Sequence, residues 1–284
     1  MTPHPALLRR PAEHSELCQL VADWSGQVPE AGAVVEPKHD GMRALWIDGE
    51  LVSREGAPIR GTAHTAAVLQ AMEREAGEAM FFDGEWVVDR SFSATVAHFK
   101  ANGSRGDAGV LHLFDAMPMR VWRGEDVGEA LIERRERLDR LAAPFVRAGL
   151  ELVPWAFMTD PGGIEARAAE LVAVGGEGVV VKDAGSLYRR CKGPAWQRIR
   201  KSLTLDLTII GFRERVGIPS EPGSLVLDHG GVPVHVRVPA GLWRARRGLL
   251  GAVAEVEAME ATKRGSLRQA RFVRLRWDRK RVTI

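Results

Sequence analysis

Lys38-His39-Asp40-Gly41 places a lysine after the apolar lead-in Ala33, Val34 and Val35, with an acid and a glycine just beyond it. A buried lysine loses its charge readily, and a neutral amine can attack phosphorus. Gly41 would let the backbone turn tightly, so that the amine faces an open pocket. On its own the tetrapeptide favours a plainer reading, a turn beside an exposed lysine. The residues around it have to decide.

Arg43 lies five residues after Lys38, and Arg54 closes the next strand-like run in Ser53-Arg54-Glu55-Gly56. A hairpin would bring both within reach of a phosphate or ribose beside Lys38, though both also suit a strand surface. Asp83-Gly84-Glu85 sits among apolar residues, where acids are costly unless they bind something. Glu177 precedes Gly178 and the run Val179–Val181, with Lys182 at its far end. Glu85 and Glu177, on separate strands, are candidate ligands for Mg²⁺ or a ribose hydroxyl, or else plain turn acids. Phe114 reads as core or as a stacking platform. Arg198 and Arg200 alternate, so a strand points both to one face. Two cations there would favour a neutral amine at Lys38 and offset phosphate charge.

The elements that must position these residues follow from patterning. A short helix is expected over Ser15–Trp24, then strands from Val34 onward. Met42–Ile47 and Glu50–Arg54 flank Asp48-Gly49, a strong hairpin signal. Thr65–Glu75 reads as a helix. Phe81-Phe82 and Trp86–Val88 read as a strand interrupted by Asp83-Gly84-Glu85, and Val110–Ala116 as another strand. Residues 128–146 read as a helix with Leu131, Leu138, Leu141 and Phe145 on one face, and Ile164–Val174 as a second. Strands mixed irregularly with helices indicate an α+β fold with mixed or antiparallel sheets. After Ser202 come the short strands Leu205–Phe212, Ser224–Asp228 and Val232–Val238. A helix-like stretch over Leu249–Met259 and a last strand, Phe272–Trp277, complete what would suit a small β-barrel. The domains are expected to divide at 1–202 and 203–284.

The 284 residues are 45% hydrophobic and 27% charged, ordinary for a globular protein with a full core. No run is apolar enough to span a membrane, no secretory signal is visible, and Cys18 and Cys191 lack metal-ligand spacing. Free thiols and a cytoplasmic location are expected, with a disulfide as the alternative. Residues 201–284 hold 16 of the 40 Lys and Arg but only 8 of the 37 Asp and Glu, while the rest of the chain is net acidic. A basic C-terminal third reads as a polyanion-binding module or as a solvated charged face.

Together these residues resemble, in type and order, the ATP-dependent DNA ligases of the covalent nucleotidyltransferase superfamily, in particular the compact, bacteriophage-like kind. The resemblance covers about residues 34–281. The family's Lys-x-Asp-Gly-x-Arg is matched by Lys38, Asp40, Gly41 and Arg43, its Ser-Arg by Ser53-Arg54, and its Asp-Gly-Glu by residues 83–85. Phe114 corresponds to the aromatic against adenine, Glu36 to a glutamate that reads the adenine amino group, and Glu177-Gly178 leads to Lys182 as in the family. Arg276-Trp277-Asp278-Arg279 matches an Arg-x-Asp-Lys motif, which the resemblance places near the pyrophosphate at the end of an OB-fold. Two departures keep the charge: Arg198-Ile199-Arg200 stands for Lys-x-Lys, and Arg279 for lysine. Which of Arg198, Arg200, Lys192 or Lys182 meets the α-phosphate stays open. The resemblance implies ATP as substrate, Mg²⁺ or Mn²⁺ as cofactor, a Lys38–AMP intermediate and nicked duplex DNA as partner. It also implies a swinging OB-fold, with a hinge near Gly193 or Lys201–Leu203. A monomer is expected, with no DNA-binding domain ahead of residue 34. An RNA ligase or capping-type enzyme of the same superfamily is the alternative, and a non-catalytic nucleic-acid-binding protein a more distant one.

Overall fold

The protein is described by a computed structural model that covers residues 17–146, 149–215, 222–262 and 265–279. The chain divides into two compact units, Met1–Arg200 and Lys201–Ile284.

In chain order the larger unit contains β1 (Leu20–Asp23), β2 (Ala33–Pro37), β3 (Met42–Ile47), β4 (Glu50–Ser53), α1 (Ala63–Ala76), β5 (Met80–Val87), α2 (Phe92–Lys100) and β6 (Val110–Pro118). It continues through α3 (Met119–Arg123), α4 (Leu131–Ala142), β7 (Leu150–Leu152), β8 (Ala156–Met158), α5 (Pro161–Ala173), β9 (Gly178–Asp183) and β10 (Lys192–Arg200). Two five-stranded sheets result, ordered β1-β10-β9-β2-β8 and β4-β3-β5-β6-β7. Both are mixed, because β1 runs parallel to β10 and β6 parallel to β7.

Alternation in the first sheet separates packing from chemistry. Ala33, Val35, Val179, Val181 and Ile199 cluster against Ile164 and Ala168 of α5. The intervening residues face the other way, and register aligns them in rows: Val34 with Lys182 and Trp196, and Glu36 with Val180 and Arg198. Arg200 lies opposite Gly178, whose carbonyl accepts the Lys38 N–H at 2.9 Å. One face therefore carries Glu36, Lys182, Arg198 and Arg200, with Lys38 at its rim.

Several elements differ from the sequence reading. Leu20–Asp23 is a strand rather than part of a helix, because it completes the sheet edge through Leu20 N–H to Cys191 O and Trp24 N–H to Arg198 O. Ser15 lies outside the described residues. The Asp-Gly-Glu motif does not interrupt its strand; β5 runs through it, paired on both sides. The irregularity is in β6, where Asp83 pairs with Asp115 but Gly84 with Leu113. Phe114 is thus a β-bulge, a device that re-aims a side chain. α4 begins only at Leu131 and ends at Ala142, where Pro144 cannot continue the backbone ladder. The Asp48-Gly49 hairpin is as expected, with φ 51° and 82° at its two turn residues.

The smaller unit comprises β11 (Leu203–Arg213), β12 (Ser224–His229), β13 (Val232–Arg237), α6 (Ala240–Arg244), β14 (Val253–Ala258), β15 (Glu260–Ala261), β16 (Leu267–Arg268) and β17 (Arg271–Leu275). Val253–Ala258 is a strand within the stretch expected to be helical. Ala254, Val256 and Ala258 are buried at every second residue, a period that only a strand satisfies. The antiparallel sheet runs β13-β12-β11-β14-β17. Among the described residues it is open, with no hydrogen-bonded ladder closing it into the expected barrel.

Candidate active site

Lys38 follows β2 directly. Its Nζ sits 2.7 Å from Glu177 Oε2, with the lysine side chain 22% exposed. The amine is thus partly exposed and held by a carboxylate. Gly41 is required for a different reason from the tight turn expected. A Cβ there would stand 2.4 Å from Trp86 O and 2.7 Å from Val87 Cγ2, so glycine lets this loop lie against β5. That approach lets the Gly41 N–H donate to Glu85 Oε1 at 3.2 Å.

Glu85 is pushed up to about 7 by burial, against the pull of Lys38, Arg43 and the Gly41 N–H, with Glu177 adding to the rise. Glu85 and Glu177 thus both border Lys38. Among the described residues no group of three or more His, Cys, Asp or Glu side chains converges as a metal cage. Two carboxylates fit Mg²⁺ only if phosphate oxygens and water complete its shell, the usual arrangement for that ion.

Behind this lies a buried charge network. Arg43 is clamped on Asp83: its Nε and Nη2 donate to Asp83 Oδ1 and Oδ2 at 2.5 and 2.6 Å, and Nη2 also reaches Gln19 O. Tyr188 donates to the same carboxylate at 2.6 Å. Burial works against the Arg43 charge, but Asp83 outweighs it. Glu36, 2% exposed, pairs with Lys182 Nζ at 2.5 Å, and the Arg135 Nε stands 3.5 Å from its other oxygen. Burial pushes Lys182 below its ordinary value, opposed by Glu36 and Asp115. The Lys182 Nζ lies 4.2 Å from the Phe114 ring centre and 4.1 Å from that of Trp196. An aromatic face, a buried carboxylate and a cation thus adjoin, and such a set can hold a flat, polar heterocycle.

Three buried polar atoms lack hydrogen-bond partners at one spot in this network, Glu36 Oε1 with Arg135 Nε and Nη1. Beside them Arg134 grips Asp115 through Nε and Nη2 at 2.8 and 2.9 Å. His39 stacks on His112, ring centres 4.1 Å apart, and burial followed by His112 lowers His39 to about 4.

The ATP dependent DNA ligase domain family matches residues 15–199. The chain belongs to the ATP-dependent DNA ligase family. A probable DNA ligase of Kineococcus radiotolerans is 29% identical over 225 residues, 75% of this chain and 41% of the relative. A DNA ligase of Haloarcula marismortui is 31% identical over 217 residues, 70% of this chain and 37% of the relative. The chain therefore spans about two-fifths of the length of the curated relatives it matches. Among solved structures, one from a structure–function analysis of Lig E DNA ligases aligns with a TM-score of 0.72 at 20% identity, covering 91% of this chain and 98% of that one. The bacteriophage T7 ATP-dependent DNA ligase in complex with ATP aligns at 0.56 and 16% identity, covering 93% and 100%. These likenesses establish a nucleotidyltransferase-type ligase fold.

Within this ligase fold, Lys38, Glu36, Arg43, Glu85, Phe114, Glu177 and Lys182 come together. Arg198 shares their sheet face but is engaged by Asp23 at 3.1 Å. Arg54 is half exposed and held by Glu55, while Lys192 is exposed at the start of β10. Arg276, Asp278 and Arg279 lie in the smaller unit, gathered with Asp206. Arg276 holds Asp278 below the usual carboxylate range. Sequence reading passed over Trp196, Tyr188, Asp115, Arg134 and Arg135. The two arginines were detectable, since residues 131, 134, 135, 138 and 142 make one buried helical stripe.

Proposed function

We infer that this chain is an ATP-dependent DNA ligase that seals nicks carrying a 5′-phosphate and a 3′-hydroxyl. The observation that carries the reading is the Lys38–Glu177 pair at 2.7 Å beside Glu85, in a chain of this family. Lys38 gives a proton to an acceptor, for which Glu177 is in position, and its lone pair attacks the α-phosphorus of ATP. The α–β bond breaks, pyrophosphate leaves, and AMP remains on the amine. AMP then passes to the 5′-phosphate of the nick. Attack by the 3′-hydroxyl on that activated phosphate seals the strand and releases AMP.

Glu36 and Phe114 would hold adenine, with Lys182 beside them and Arg54 near the sugar. Of Lys182, Lys192, Arg198 and Arg200, our choice for the α-phosphate is Arg200, because it lies opposite Gly178, whose carbonyl accepts the Lys38 N–H. Glu85 and Glu177 would hold Mg²⁺ or Mn²⁺, and the ion would offset charge on the transferring phosphoryl group. We read residues 203–284 as an OB-fold that grips DNA, on the support of its five antiparallel strands with a helix between β13 and β14. Arg276, Asp278 and Arg279 would orient the pyrophosphate.

Sealing of a nicked duplex with ATP tests the reading. Lys38→Ala should abolish both sealing and the labelled adduct from α-labelled ATP; persistent labelling would sink the assignment. Faster sealing of nicked RNA than of nicked DNA would redirect it to an RNA ligase. Arg279→Ala should slow self-adenylation more than sealing of a pre-adenylated nick, and equal loss of both would remove its proposed role.

A further inference from the structure

The outer face of the β13-β12-β11-β14-β17 sheet is not uniformly basic. At one end, register places Asp206 beside Glu255 and Arg274, and Thr204 beside Glu257 and Arg271. The arginines there are matched by acids: Arg274 binds Glu255 at 2.9 Å, Arg271 binds Glu257 at 2.7 Å, and Arg276 and Arg279 bind Asp206. At the other end, Arg213, Ser224 and Arg237 form a row across β11, β12 and β13. Arg213 and Arg237 are exposed, and among the described residues neither has an ion-pair partner; the same holds for Arg244 and Arg247 just beyond β13. Glu214, next to Arg213, is already taken by Arg246 at 3.1 Å. Among the described residues, the arginines of this unit that have no ion-pair partner therefore gather at the Arg213–Arg237 end.

We propose that the Arg213–Ser224–Arg237 row is where this unit grips the phosphate backbone of duplex DNA, and that the arginine-rich β14–β17 end contributes little to that grip. The proposal rests on the DNA reading above. Two strand spacings set the arginines about 10 Å apart on one face, with the small Ser224 between them. A guanidinium already forked onto a carboxylate releases fewer counterions when it meets a phosphate than one that is unmatched.

The test is the salt dependence of full-chain binding to a nicked duplex, followed by fluorescence anisotropy. Each phosphate contact contributes about 0.9 to the slope of log K against log salt. The double variant Arg213→Ala, Arg237→Ala should lower that slope by about 2, and Arg213→Lys, Arg237→Lys should largely restore it. Arg271→Ala, Arg274→Ala should leave it unchanged. A slope that responds to the second pair as strongly as to the first, or not to the first at all, would overturn the proposal. Absence of salt-dependent nick binding by the unaltered chain would overturn the DNA reading and this proposal with it.

Discussion

Arg134 and Asp115 in the larger unit are 1% and 0% exposed and joined by two hydrogen bonds, one to each carboxylate oxygen, whereas Arg274 in the smaller unit is 65% exposed and places both of its hydrogen bonds on one Glu255 oxygen. Removing one partner of the first pair leaves a bare charge in a low dielectric. Removing one partner of the second leaves a charge that water screens. An arginine–carboxylate pair thus fixes geometry in one unit and sets the distribution of charge in the other.

This contrast can be broken or sharpened by substitution. Asp115→Asn should destabilise the protein by about 3–5 kcal/mol, read from urea unfolding, because Arg134 loses its counter-charge while still buried. A loss below about 1 kcal/mol would mean that water reaches the pair and that the contrast is wrong. His39 gives an intermediate, pH-dependent case. Its folded value of about 4 lies below the ordinary 6.5, so the folded state resists protonation. Stability from keeping it neutral is fully present above pH 6.5 and is lost as pH falls toward 4. His39→Phe, which preserves a ring over His112, should flatten that acid-side decline, with a difference of about 2 kcal/mol at pH 5. Parallel curves for variant and parent would discard it. Arg274→Ala should be the mildest, within about 1 kcal/mol and shrinking with added salt.

The order of the motifs, the Asp48-Gly49 hairpin and the β9 strand were legible because each depends on neighbours in sequence. The Arg43–Asp83 clamp was not, since it joins strands 40 positions apart and Arg43 had a plausible role toward nucleotide. β14 was misjudged because Ala and Glu favour helices, while pairing to β11 and β17 decided otherwise. Gly41 was placed correctly in its motif but explained wrongly: the constraint is the backbone of β5, far along the chain. Arg134 and Arg135 sit in Glu133-Arg134-Arg135-Glu136-Arg137, which looks like a solvated charge run until the phase of Leu131 and Leu138 is followed.

The bulge at Phe114 has a consequence for how this strand tolerates change. His112 and Asp115 are three positions apart where simple alternation needs an even spacing, yet their register partners Glu85 and Asp83 lie on one face. The strand therefore carries a phase slip, and everything after it is read in a shifted frame. Substitutions at Leu113 or Ala116 alter packing one residue at a time. Deleting Leu113 would instead remove the bulge, setting Phe114 opposite Gly84 while Asp115 kept its place opposite Asp83.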